Sequence, residues 1–197
     1  MLFINMWCFL ELEERRIFMT MELPNFRYSP NCYDLENEIF TYSEEGVLCE
    51  CCNERTTYYY DSMMYSLEDT ECICPNCISS GKAAKKFDGE FIQDSEHSQI
   101  IDEIKRKELF ERTPGYVSWQ GEYWLECCND YCAFIGDVGV KELEDMGIKE
   151  DVLKDYESKD GYEIELVKEC LERKGSFAGY LFQCIHCGKY RIWVDAS

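Results

Sequence analysis

Fourteen cysteines in 197 residues are the side chains best equipped for chemistry, and most of them fall in short-range groups. Cys49-x2-Cys52, Cys74-Pro75-Asn76-Cys77 and Cys184-Ile185-His186-Cys187 share a two-residue gap, and Cys128-x3-Cys132 is a looser fourth group. Tetrahedral zinc needs four sulfurs at about 2.3 Å from the metal. A two-residue gap on a tight turn puts two thiolates on one side of that metal, and the backbone N–H groups that follow can donate to the sulfurs. The residue after the second Cys often needs a left-handed conformation, which Gly188 adopts freely and Asn53 tolerates. Ile78 does not, so the Cys77 turn is expected to run straight into a helix.

Cys49 and Cys52 are separated from Cys74 and Cys77 by 21 residues, which matches a two-knuckle zinc site. A second site is expected to join Cys128 and Cys132 to Cys184 and Cys187. Rivals exist within both: Cys51 could replace Cys49 or Cys52, Cys72 could replace Cys74, and Cys127 competes at the second site. Cys8, Cys32 and Cys170 have no partner at useful spacing. Two structural zinc ions are the implied cofactors, and the expected metal ligands are Cys49, Cys52, Cys74, Cys77, Cys128, Cys132, Cys184 and Cys187.

Other chemistries are less well served. A dithiol enzyme wants its Cys-x-x-Cys on a strand-to-helix turn in a βαβ setting; only the Cys74 turn precedes a helical pattern, and no βαβ pattern surrounds it. The two histidines, His97 in a polar stretch and His186 inside a knuckle, do not resemble placed general bases. No Gly-x-Ser-x-Gly, P-loop or dinucleotide fingerprint occurs. Four-sulfur zinc has no open position for water, so it performs no hydrolysis by itself. No catalytic residue is therefore assigned. Thr113-Pro114-Gly115-Tyr116, Trp119-Gln120 and Trp124-Leu125 read as a capped helix end with core aromatics; a ligand or peptide groove is the lesser reading.

Charge narrows the partners. Forty Asp and Glu stand against 20 Lys and Arg, a formal net charge of −20. Such a surface repels nucleic-acid phosphates and anionic lipid, because both are bound by displacing counterions with Lys and Arg. An apolar share of 46% with 15% aromatic supplies a core and excludes a disordered acidic tail. Met1 to Leu10 is apolar but too short to span a bilayer, and Glu11, Glu13, Glu14, Arg15 and Arg16 follow it. Residues 1–20 read as a loosely attached extension, with Met19 and Met21 as alternative starts. Without an export signal the expected compartment is the reducing cytoplasm, where clustered thiols bind metal more often than they form disulfides.

The elements that must hold the cysteines follow from local pattern. Pro24 and Pro30 keep 22–42 irregular. Gly46-Val47-Leu48 leads into the first knuckle, and Thr56 to Tyr60 returns as a hairpin partner. Cys74 to Lys86 reads as helical behind Pro75, with Ile78, Ala83, Ala84 and Phe87 at roughly helical spacing. Asp88 to Gln99 reads as a variable loop. Ile100 to Arg112 reads as a helix with Ile100, Ile101, Ile104 and Leu109 inward, and Tyr116, Trp119, Tyr123 and Trp124 as core. Tyr131 to Val140 suggests a strand with a glycine turn. Acidic helices are expected over Val140–Gly147, Lys149–Glu157 and Tyr162–Lys174, then a hairpin over Gly179–Val194. The fold class is α+β: small zinc-ribbon-like hairpins with two four-cysteine zinc sites, packed with several helices. Residues 21–197 form one domain, with an N-terminal zinc half at about 21–90 and a C-terminal zinc half at about 114–197.

Several runs resemble the CbrC family of colicin-tolerance proteins. They are Leu23-Pro24-Asn25-Phe26-Arg27-Tyr28-Ser29-Pro30, Cys49-Glu50-Cys51-Cys52, Cys74-Pro75-Asn76-Cys77-Ile78, Gly81 to Phe87, Arg112 to Tyr116, Trp119-Gln120, Trp124-Leu125, Cys128, Asp130, Cys132, Gly136, and Gly179 to Gly188. The resemblance runs from about Glu22 to the C-terminus. Asn76 replaces the tryptophan of the family's CPWC turn, Cys72 and Cys127 look like private extras, and residues 1–20 have no counterpart. The resemblance supports the same two sets of four ligands and implies bacteriocin tolerance rather than an enzymatic activity. The expectation is a zinc-stabilised, non-enzymatic protein-binding module, immunity-like or antitoxin-like, whose partner is a protein such as a basic toxin. A thiol oxidoreductase or an unrecognised enzyme is the alternative, and a stress-response adaptor binding a host protein is a further one.

Overall fold

The computed structural model describes residues 23–96, 102–157 and 161–197; the N-terminal extension, His97, Ile100 and Ile101 lie outside them. Residues 23–40 wind irregularly around one short 3-10 turn, Leu35–Asn37. β1 (Thr41–Leu48) and β2 (Arg55–Tyr59) then form an antiparallel hairpin. The helical run after Cys74 is broken in two, α1 (Pro75–Ser79) and α2 (Lys82–Phe87), because Gly81 takes a φ of 71° between them. α3 is Glu103–Arg112, N-capped by Asp102 and ended at Thr113.

Residues 88–96 are not a loose loop. Phe91 and Ile92 are buried, and β3 (Asp94–Ser95) pairs in parallel with β4 (Tyr123–Trp124). α3 faces the core through Leu109 and Phe110, whereas Ile104 is 79% exposed. The helix starts only at Glu103, so Ile104 falls in its first turn and on its outer side. The aromatic group divides in the same way: Tyr116 and Trp124 are buried, Tyr123 is half-buried and Trp119 is 56% exposed.

β5 (Glu126–Cys127) and β6 (Asp130–Tyr131) make a tight hairpin, and β7 (Ala133–Val138), β8 (Phe177–Gln183) and β9 (Tyr190–Ala196) an antiparallel sheet. Gly136, expected in a turn, instead sits at a bulge with φ of 150° within β7, where the pairing with β8 shifts. α4 (Val140–Asp145), α5 (Lys149–Glu157) and α6 (Ile164–Cys170) follow β7, the first and third of them shorter than the acidic pattern suggests.

The sheet separates two hydrophobic clusters. Phe134, Tyr180 and Phe182 face the larger one, which runs continuously from Phe26, Tyr28 and Phe40 through Tyr60 and Ile78 to Trp124. Val138, Leu181, Ile192 and Val194 face the smaller one with Leu143, Val152, Leu153 and Val167 of the three helices. Both halves of the chain therefore share one core. The alternation along β8 is what a strand covered on both sides requires. No helix among the described residues is long and apolar enough to cross a membrane.

Candidate metal centres

Two groups of four sulfurs converge. In the first, Cys49, Cys52, Cys74 and Cys77 have all their Sγ atoms within 4.8 Å of one another. The β1–β2 hairpin supplies two of them. Cys49 N–H donates to Glu54 O at 2.9 Å and Asn53 N–H to Cys49 O at 2.8 Å, with Asn53 at φ of 60°, which turns Cys49 and Cys52 to the same side. Cys74 precedes α1 in extended conformation with Pro75 behind it, and Cys77 follows one turn later. Cys74 N–H donates to Cys49 Sγ at 3.2 Å, so the hairpin and the helix are joined at the sulfurs. Lys86 Nζ donates to Glu50 O and Cys51 O at 2.6 and 3.1 Å and fixes the back of the knuckle.

In the second group the sulfurs are those of Cys127, Cys128, Cys184 and Cys187. The Cys184–Lys189 turn repeats the first knuckle bond for bond: Cys184 N–H donates to Lys189 O at 2.8 Å, and Gly188 N–H to Cys184 O at 3.0 Å. Gly188 occupies the left-handed position at φ of 74°, as Asn53 does in the first. The opposite pair comes from the β5–β6 hairpin, whose two-residue turn is Cys128-Asn129 at φ of 52° and 62°. Positive φ at both central residues is the turn that matches strand twist, and it brings two adjacent cysteines to one metal position.

Cys132, expected as a ligand, lies outside that group. Its N–H bonds Leu125 O, its carbonyl accepts from Trp124 Nε1 at 2.8 Å, and its side chain is fully buried in the main core. Burial pushes its thiol up to about 12, with Arg191 opposing. Cys127 takes the place assigned to Cys132. Cys51 and Cys72 flank the first group without joining it; Cys32 is a buried core thiol and Cys170 is exposed.

The geometry fits a tetrahedral ion. Four sulfurs at about 2.3 Å from a metal lie about 3.8 Å apart. Cys52–Cys74 is 3.9 Å, and Cys127–Cys128 and Cys127–Cys187 are each 3.8 Å. Each group also favours the thiolate form at one sulfur. Hydrogen bonds from the Cys74 side chain, opposed by burial and reinforced by backbone N–H groups, bring Cys49 down to about 4. Burial opposes ionisation of Cys184, but N–H groups of Cys187 and His186 bring it down to about 6. A four-thiolate shell leaves no position for water, so both centres suit a structural role.

A polar hub that no spacing pattern announces adjoins the second centre. Asp130, with its side chain 1% exposed, accepts from Tyr28 Oη at 2.8 Å and lies 2.8 Å from Arg27, 3.1 Å from Lys105 and 2.9 Å from His186. Burial opposes its ionisation, yet these partners hold its carboxyl down to about 2. His186 thus has a role inside its knuckle: it ties the turn to the hairpin that carries Cys127 and Cys128.

Residues 23–196 match the model of an uncharacterised protein family, UPF0167. The chain belongs to the UPF0167 family. It is 34% identical over 183 residues to UPF0167 protein PA1536 of Pseudomonas aeruginosa, covering 90% of this chain and 99% of that protein. It is 32% identical over 179 residues to UPF0167 protein Mb2317 of Mycobacterium bovis, covering 88% of this chain and 94% of the relative. No solved structure matches. The family shown is UPF0167, over nearly the whole length that the motifs suggested, and its description carries neither the CbrC name nor an activity.

Proposed function

We propose that this UPF0167 protein is a zinc-stabilised, non-enzymatic binding module that acts in the bacterial cytoplasm by docking a basic protein, in the manner of an immunity protein or antitoxin. The observation that carries the reading is the pair of closed four-sulfur groups with inter-sulfur distances of 3.8–3.9 Å. Zinc is the ion that best suits four thiolates in a tetrahedron without redox chemistry. The two knuckles, built alike on hairpins, are taken as zinc-ribbon-like. Cys49, Cys52, Cys74 and Cys77 would hold one ion, and Cys127, Cys128, Cys184 and Cys187 the other.

The docking half of the proposal is supported by charge. A net charge of −20 on a folded scaffold steers cationic partners and repels nucleic acid. The acidic helices within Glu142–Glu172 are the natural contact region, and bacteriocin tolerance is the biological role that the CbrC-like motifs imply. Native mass spectrometry on protein purified without chelator tests the first half. Two zinc ions on the folded chain are expected; a folded, metal-free chain with the mass of a disulfide form would replace this reading with dithiol redox chemistry. For the second half, association with a basic toxin encoded nearby should slow steeply as salt rises. Association that is indifferent to salt, or absent for every such toxin, would remove it.

A further inference from the structure

A hollow of about 260 Å³ lies under the exposed Trp119, and its walls include Asp137, Lys174, Tyr180 and Glu38. Asp137 is directed there by the β7 bulge, which shifts the register so that Asp137 pairs with Tyr180 across the sheet. Its carboxyl is partly buried and has no hydrogen bond or ion pair among the described residues. Glu38 and Lys174, by contrast, satisfy each other at 3.0 Å. The lining therefore keeps one carboxylate without a direct partner, with only the longer-range attraction of Lys174 and Arg173 to offset its charge.

The aromatic wall is rigidly built although it faces solvent. Trp119 Nε1 donates to Gly175 O at 2.9 Å, and the N–H groups of Trp119 and Gln120 both donate to Asp195 Oδ2 at 3.1 Å. Gln120 Nε2 adds a bond to Ala196 O at 2.7 Å. Asp195 is only 2% exposed. A buried carboxylate is thus devoted to fixing an exposed loop whose most prominent side chain is an indole. Core packing does not require that arrangement, whereas a preorganised recognition wall does.

We infer that this hollow is a binding site for a small organic cation, a guanidinium or primary ammonium group, with Trp119 and Tyr180 as its aromatic walls and Asp137 as its counter-ion. Indole and phenol faces attract cations, and guanidinium suits the site best because it is planar, weakly hydrated and able to bridge a carboxylate. Burial pushes Asp137 up to about 6 against the pull of Lys174 and Arg173, so its charged form gains most from an incoming cation. At about 260 Å³ the hollow lies just below the range of about 300–1,000 Å³ usual for ligand sites, and it suits a group the size of an arginine side chain. The inference stands independently of the metal centres.

The test uses the full, zinc-loaded chain labelled with 15N and follows the Trp119 indole N–H signal. The probe is Nα-acetylargininamide, and the control is its neutral citrulline counterpart. A saturable shift with the arginine probe is expected, at least tenfold weaker with citrulline. D137N should weaken the arginine probe at least tenfold while the rest of the spectrum is unchanged. W119L alters an exposed side chain and removes that reporter, so binding is read there from the backbone amides of Ser118, Ala178 and Tyr180; it should weaken at least fivefold, and this variant serves if D137N does not fold. An acetyl-Gly-Arg-Gly-amide arm separates the sources: equal binding of both arginine probes points to a free small molecule, and saturation by the tripeptide alone to a peptide chain. Equal, unsaturated shifts with arginine and citrulline, or undiminished binding by both variants, would overturn the site.

Discussion

Asp130 Oδ2 lies 2.9 Å from His186 Nε2, and this contact links the two hairpins that carry the sulfurs of the second centre. The same carboxylate holds Tyr28 and Arg27 of the N-terminal segment and Lys105 of α3. It is a junction between elements more than a hundred residues apart in sequence. Removing it leaves a buried tyrosine hydroxyl and several cations without their shared acceptor, which costs more than the hydrogen bonds are worth in the intact protein. Asp130→Ala is expected to lower unfolding free energy by about 2 kcal/mol or more, measured by urea denaturation in zinc. Asp130→Asn retains an acceptor for Tyr28 and should lie between the two. A loss below about 0.5 kcal/mol for the alanine variant would show that the junction is incidental.

The choice between Cys127 and Cys132 is open to a direct count of metal. Cys127→Ser should reduce the chain from two bound zinc ions to one, because a neutral hydroxyl does not replace a thiolate at a four-sulfur site. Cys132→Ala should keep both ions and lose only about 1 kcal/mol of packing in the main core. Native mass spectrometry of the two variants reads both outcomes. The reverse pattern, one ion after Cys132→Ala and two after Cys127→Ser, would restore the ligand set expected from spacing.

The cysteine spacings are informative where the geometry is local. A two-residue gap followed by Asn53 or Gly188 dictates the knuckle, and both turns form with the same hydrogen bonds. Cys128-x3-Cys132 is less legible because spacing carries no information on the turn between them. The left-handed pair Cys128-Asn129 reverses the chain, which places Cys127 beside Cys128 and sends Cys132 inward. Asn129 is the available signal, since asparagine tolerates a left-handed conformation. Ile104 and residues 88–96 depart from expectation for a different reason. Whether an apolar residue is covered there depends on partners far along the chain: Tyr123 and Trp124 across β3, and Arg191 from β9.

Arg191 explains why 88–96 is ordered. Its side chain is 4% exposed and reaches Glu96 at 2.5 and 2.7 Å, Asp155 at 3.3 Å and the carbonyl of Glu126. Arg191→Met would remove the cation that Glu96 and Asp155 share, leaving Lys189 on Asp155. The expected loss is about 2–4 kcal/mol, somewhat less than for a wholly buried pair because Glu96 is partly exposed. Hydrogen exchange gives the more specific signature: the amides of Ser95, Glu96 and Glu126 should exchange faster, while those of the β1–β2 hairpin are unchanged. Uniform acceleration throughout the chain would mean that Arg191 supports global stability alone.

Glu122 provides a pH test away from the metal centres. It is 5% exposed, accepts from Tyr65 Oη at 2.6 Å, and burial raises its carboxyl from 4.5 to about 7 against that hydrogen bond. Between those values the folded chain keeps a proton that the unfolded chain has released, so unfolding free energy falls as pH rises. The contribution is fully present below about pH 4.5 and lost by about pH 7, an effect of roughly 3 kcal/mol. Glu122→Gln keeps an acceptor for Tyr65 and has no proton to lose. Subtracting its stability profile from that of the parent between pH 5 and 8 cancels the titration of the cysteines common to both. The difference should favour the parent most at the acid end and decline toward pH 7. A flat difference would mean that Glu122 titrates like an exposed carboxyl.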